Sequence, residues 1–397
     1  MTLHDDSSLV DLPHPVRVDA AFGRPMEETL FGPDFWTALK PYLGDDTLPT
    51  EWILNHAPGV YELARDSSNF PGTVNLGLLS LVLARARLRA HGDPILQVHP
   101  ALHEQLLETD LGTKLPVDLF RLPYTAAFIE FGRPSGLSIF NPASGEHEVE
   151  GAYVGSYQVG PNSFIFEKDD RRRHLGLDPE KPTRVIEIVL TGSPRGKANA
   201  LDDASQNVAL FLQGGDADLG TAIERHFAFY RLPSAGSLPG FVPPDERERA
   251  SFEKAVYQLA KVMLYLNLPE AEQAGRPDRS ELLQRLRGLG PKKAARLQRK
   301  LSRAYDRIVI GGRNAPEYTL SRCIRRQRSR QRASALAARA LPTHPLRRGT
   351  GGEPPRLDPA GARQCGGGLR TGGGEGLRGA ITETPTGPRA GTNAKAS

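Results

Sequence analysis

The first 320 residues of this 397-residue chain contain no cysteine. That excludes disulfide stapling and cysteine-ligated zinc from the body and fits a reducing cytoplasm. Both cysteines, Cys323 and Cys365, lie in the last 77 residues, and those residues lack every Phe, Trp, Tyr, Val and Met. With 14 Gly, 14 Arg and no aromatic side chain, 321–397 has too little apolar surface to offset the entropy of ordering. A disordered Gly/Arg-rich tail is expected there. Long hydrophobic runs are also missing. The longest mostly apolar stretch, Leu76 to Ala84, falls well short of the ~20 residues of a membrane span. Met1 to Ser8 carry two aspartates and no apolar run, so no secretory signal is expected. These absences together predict a soluble cytoplasmic protein.

Charge divides the same way. The chain carries a net +5 with a pI near 9.2. The tail holds 15 basic residues against 4 acidic ones, which leaves 1–320 at a net −6. The high pI therefore describes the tail and is no argument that the body binds nucleic acid.

Periodicity organises the rest. The polar, proline-interrupted stretch 1–32 reads as an extended arm, and 33–320 as the folded body. Helical spacing is found at 33–43, 51–65, 73–91 and 100–109. The helix at 73–91 is rich in leucine and ends in Arg85, Arg87 and Arg89, where the macrodipole favours cations. From Leu115 the pattern turns strand-like. Short apolar runs at 126–131, 137–140, 153–159, 163–166, 184–191 and 207–212 are separated by Gly, Pro, Asn and Asp. Helices return at 218–230, 245–267, 280–286 and 291–305. Helices, then strands, then helices predict an α+β fold with a central, mostly antiparallel sheet.

The motifs for chemistry are few. Gly192 to Lys197 follow a strand as a P-loop does, but three residues rather than four separate the glycines and Ala198 stands where magnesium needs a hydroxyl. A surface turn is the reading taken. His99 and His103 are four apart without a third ligand in view, so no metal site and no cofactor are expected. Glu167 to His174 is a charged run that reads as a solvated loop. No Gly-x-Ser-x-Gly elbow and no body cysteine supply a nucleophile. An enzyme is not expected.

One motif is sharper. Leu283, Leu286, Gly288, Leu289, Gly290, Pro291, Lys292, Lys293, Ala294 and Leu297 resemble a helix-hairpin-helix element spanning 283–297. There a Gly-apolar-Gly turn brings amides at a helix start toward a phosphate, and lysines neutralise it. On this reading Gly288, Gly290, Lys292 and Lys293 contact RNA or DNA, as in a nucleic-acid-binding accessory protein of a mobile element. The other reading is a helical hairpin whose glycines only make the turn.

The order of elements resembles the second type V-A anti-CRISPR family, borne on phages and plasmids. The likeness rests on the Leu-rich helix 73–91 ending in arginines and the stretch Pro116–Tyr124 leading into a strand. It continues with Gly151 to Val154, then Leu264 to Leu266, and Tyr305 before Gly311, covering about 50–315. The resemblance implies a binding protein that lowers production of the type V-A CRISPR effector nuclease. It would recognise the nascent polypeptide on the translating ribosome and provoke loss of the mRNA. Family members close on a basic-aromatic tail with Arg-Pro-His and Gly-His-Trp, which this chain lacks. With suitable codons, Arg348 to Gly352 read in another frame give Gly-His-Trp-Arg, so a frameshift between about 310 and 340 would account for the ending. A nascent peptide is unfolded and is caught by strand addition or in a groove. Leu122, Pro123 and Tyr124, leading into the strand 126–131, are the expected wall of that site. The competing reading places Tyr124 and Phe128 in the core.

Overall fold

The computed structural model describes residues 12–23, 25–50, 59–67, 76–110, 115–132, 134–141, 145–163, 170–193, 204–214, 218–232, 246–290 and 304–311. Leu9, Trp52, Ile53, Lys293, Ala294, Leu297, Lys300 and Leu301 are described singly. The expected tail 321–397 with its frame question, Lys292, and 164–166 of an expected strand lie outside the described residues. The chain divides into two units, Met1–Ala338 and Arg339–Ser397, and every described residue belongs to the first.

The fold is α+β. The helices are α1 (His14–Phe22), α2 (Met26–Leu30), α3 (Pro33–Leu43), α4 (Val60–Ser67), α5 (Leu76–Ala90), α6 (Pro100–Glu108), α7 (Asp170–Leu175), α8 (Leu219–Tyr230), α9 (Glu246–Leu266) and α10 (Asp278–Leu286). The strands are β1 (Ile95–Val98), β2 (Ala126–Glu130), β3 (Ser138–Asn141), β4 (Gly145–Val159), β5 (Thr183–Ser193), β6 (Ala204–Leu212), β7 (Gln273–Pro277) and β8 (Asp306–Ile310). They form one sheet in the order β6-β5-β4-β2-β1-β8-β7, with β3 on β4. Five pairings are antiparallel and two, both made by β1, are parallel.

Successive strand residues face opposite sides, and the two cores follow from that. Ala127 and Ile129 of β2 join a core with α6, α8 and α9, while Phe128 between them joins a second core with α1 to α5. Helices thus cover both faces. Among the described residues no helix is long and apolar enough to cross a membrane.

The expected extended arm at 1–32 is corrected. Residues 14–22 and 26–30 are helices, and Leu12, Val18, Met26, Leu30 and Phe31 are buried in the second core. The prolines that suggested interruption start α1 instead: Pro13 is its N-cap and Pro15 sits in its first turn, where no amide partner is needed. Gly23 closes it with a φ of 69°. Three strands escaped the sequence reading. β1 is four residues long, β7 is polar, and β8 adjoins a segment with helical spacing. The helix expected over 291–305 has helical positions at Lys293, Ala294, Leu297, Lys300 and Leu301 and has ended by Ala304.

Candidate functional site

Most of the buried charge serves to hold the fold. Arg17 of α1 grips Glu150 of β4 with both nitrogens, Nη1 at 2.6 Å from Oε2, and its Nη1 also donates to the Leu12 carbonyl at 2.9 Å. The register of β4 slips between Val149 and Gly151. This bulge keeps Val149 and Ala152 in the first core while Glu150 reaches the arginine. His14 Nδ1 lies 2.9 Å from the Tyr153 hydroxyl, and burial, with Arg17 nearby, lowers its pKa to about 3. At the end of α5, Arg87 lies 4.2 Å above the Tyr157 ring and donates to the Leu48 carbonyl at 2.6 Å. Arg85 holds Asp19 at 2.6 Å. The arginines that read as dipole partners therefore tie the first helices to the sheet.

The two histidines of the weighed metal pair are also engaged. His103 is buried, with Nε2 2.8 Å from the Ser135 carbonyl and Nδ1 3.2 Å from Gln258. His99 caps α6 through Nδ1, which accepts from the Ala101 amide at 3.3 Å. Among the described residues no group of three or more His, Cys, Asp and Glu is placed to hold a metal.

One end of the sheet is exposed. β7 is the last strand, paired on one side with β8, and all five of its residues are exposed. Its first residue, Gln273, has Oε1 3.5 Å from the Tyr124 hydroxyl. Tyr124 is half-buried against the first core and Pro123 is exposed, whereas Leu122 is buried in that core and Phe128 in the second. The expected wall is thus split: Leu122 is core, Pro123 is exposed, and Tyr124 packs half-buried against the same core. β2 itself is paired on both sides, by β1 and β4, so no peptide can add to it. Among the described residues, the strand with an unpaired edge that meets Tyr124 is β7, which its composition (Gln, Ala, Gly, Arg, Pro) concealed.

β7 leads directly into α10 and the Gly288–Gly290 turn, so the two expected sites meet through this strand. The base of the hairpin is pinned. Asp306, the first residue of β8, accepts from the amides of Arg279 and Ser280 at 2.9 and 3.0 Å, and Arg307 pairs with Asp278 at 3.0 Å. Beneath it the Tyr305 hydroxyl donates to Glu130 at 3.1 Å, and burial pushes the Glu130 carboxyl up to about 7. Above the base nothing is buried in α10, and Gly288, Leu289, Gly290 and Lys293 are exposed. The amides of Lys293 and Ala294 donate to the Gly290 carbonyl at 3.1 and 3.0 Å. These two amides are spent within the turn.

A family model described as the anti-CRISPR type V subtype A2 family, AcrVA2-like, matches residues 96–349. Among solved structures, the crystal structure of AcrVA2 is similar at 13% identity and a TM-score of 0.37, covering 75% of this chain and 81% of that one. No curated protein matches. The matched region spans more than half of the chain and takes in the whole sheet except Ile95, so the chain belongs to the anti-CRISPR type V subtype A2 family.

Proposed function

We propose that this chain is a binding protein, not an enzyme, that lowers production of a type V-A CRISPR effector nuclease. It takes hold of the effector polypeptide during translation, and loss of the message follows. The observation that carries this reading is the outer edge of β7, unpaired among the described residues, in a strand whose Gln273 meets Tyr124. A chain leaving the ribosome has no fold to offer, only extended backbone. An unpaired strand edge matches that chemistry, because main-chain amides and carbonyls supply affinity for any extended segment. Tyr124, an apolar ring with a polar tip, supplies selectivity next to it. Native proteins normally protect such edges, and β7 exposes all five residues.

The test is capture of the effector polypeptide from translating lysate, with and without RNase, by wild-type chain and by Tyr124→Ala. RNase-resistant capture by wild type, and its loss in a variant that keeps the wild-type urea midpoint, is the expected result. A Tyr124→Ala chain that unfolds at clearly lower urea removes Tyr124 from the site. Capture abolished by RNase in the wild type overturns recognition of the polypeptide.

A further inference from the structure

We propose that the connection between β7 and β8 is an RNA-binding surface, separate from the strand edge. The connection runs from 278 to 305, 28 residues where adjacent antiparallel strands need ~2–5. It carries nine Arg and Lys against Asp278 and Glu281, a net +7 in a body whose first 320 residues sum to −6. Asp278 is consumed by Arg307 at the base. Arg279, Arg285, Arg287, Lys293 and Lys300 are all exposed, and none forms an ion pair among the described residues. A structural role would bury something, yet α10 buries no residue. Its half-buried leucines, Leu282 and Leu286, recur at helical spacing with Ala294, Leu297 and Leu301 across the turn. This spacing suits two short helices leaning on each other and leaves Arg279, Arg285, Arg287, Lys293 and Lys300 outward.

The charge selects the partner. Uncompensated cations on a pinned scaffold suit a polymer with a negative charge at every repeat, and single-stranded RNA is flexible enough to follow a helix ~14 Å long and its turn. A lipid surface would call for a broad apolar face. Here the exposed large hydrophobics among the described residues are Leu283 and Leu289, 41% and 38% accessible. The surface acts through side-chain charge, since the amides of Gly288, Leu289, Lys293 and Ala294 are already bonded. RNA at this surface would keep the chain on a message while β7 stays open to polypeptide. Each activity has its own variant, so either can fail alone.

The experiment is fluorescence anisotropy of a short unstructured oligoribonucleotide with the full chain, from ~50 to ~300 mM salt. Five or six phosphate contacts predict a slope of log affinity against log salt of about −4. Changing Arg285→Glu together with Arg287→Glu is expected to weaken binding at least about tenfold at low salt and to flatten the slope by about 1.4. The melting temperature should not move, because both side chains are exposed. Absence of salt-sensitive binding by the wild type overturns the proposal. So does wild-type affinity in the double variant, which would assign the RNA to another basic segment such as 321–397. Equal competition by polyglutamate at matched charge also overturns it, because the surface would then be one for acidic polypeptide.

Discussion

Arg17 and Glu150, 133 residues apart, form a two-pronged ion pair with both side chains withdrawn from solvent. The pair joins α1 to the bulge of β4. Removing one partner strands the other charge in the core, so Arg17→Ala is expected to cost about 3–5 kcal/mol. Replacing both residues with apolar ones of similar volume should cost less than either single change, because no unpaired charge remains. Urea unfolding of the two single variants and the double variant reads this directly, and additive losses would contradict it.

Glu130 and His14 predict opposing pH dependences. The Glu130 carboxyl rises from 4.5 to about 7 through burial, so the folded state holds its proton more tightly than the unfolded chain does. Its contribution is full below 4.5 and is lost as pH rises through 7, an effect of up to about 3 kcal/mol. His14 falls from 6.5 to about 3, again mainly through burial, so its contribution is lost as pH drops below 6.5. Between 4.5 and 6.5 the two slopes cancel. Glu130→Gln should unmask the histidine, giving a variant whose stability climbs with pH up to 6.5 and exceeds wild type at pH 8. Unfolding free energies across this range, parallel for the two proteins, would refute the assignment.

Gly151 and Gly275 should respond differently to the same substitution. A Cβ on Gly151 would lie 2.5 Å from the Ile129 carbonyl and 2.6 Å from the Phe128 ring. The backbone oxygen cannot yield, so Gly151→Ala is expected to cost about 1–3 kcal/mol. At Gly275, on the exposed edge strand, a Cβ meets nothing within 4 Å. Gly275→Ala should stay within about 0.5 kcal/mol of wild type, as exposed changes do. Paired thermal melts compare them.

Asp306 fixes the start of α10 from outside the helix, through the Arg279 and Ser280 amides and the Ser280 hydroxyl. Asp306→Ala should cost about 1 kcal/mol, the usual worth of a cap. It should also raise amide exchange in α10 more than in α9, whose residues are buried through most of their length. Unchanged protection in α10 would show that the cap carries no load.

Much of this architecture could be read directly. Period-3.6 and period-2 patterns located α5, α6, α8, α9, β2, β3, β5 and β6, because those segments bury a face and burial writes itself into composition. The order of those segments was also enough to indicate the family. The arm at 1–32 was misread because proline at a helix start and proline in a coil look alike until the chain has something to pack against. β7 was invisible because an edge strand with every residue exposed carries no hydrophobic signature.

For the candidate site, the sequence by itself determined which side chains were available: Tyr124 after Pro123, and a run of lysines and arginines around a Gly-Leu-Gly turn. Only the tertiary structure decided that Leu122 belongs to the core, that β2 is closed on both sides, and that β7 brings Tyr124 and the basic turn to one edge of the sheet. The physical reason is pairing. A strand's chemistry depends on whether its backbone amides are already bonded, and that is a property of its neighbours in space rather than of its own residues.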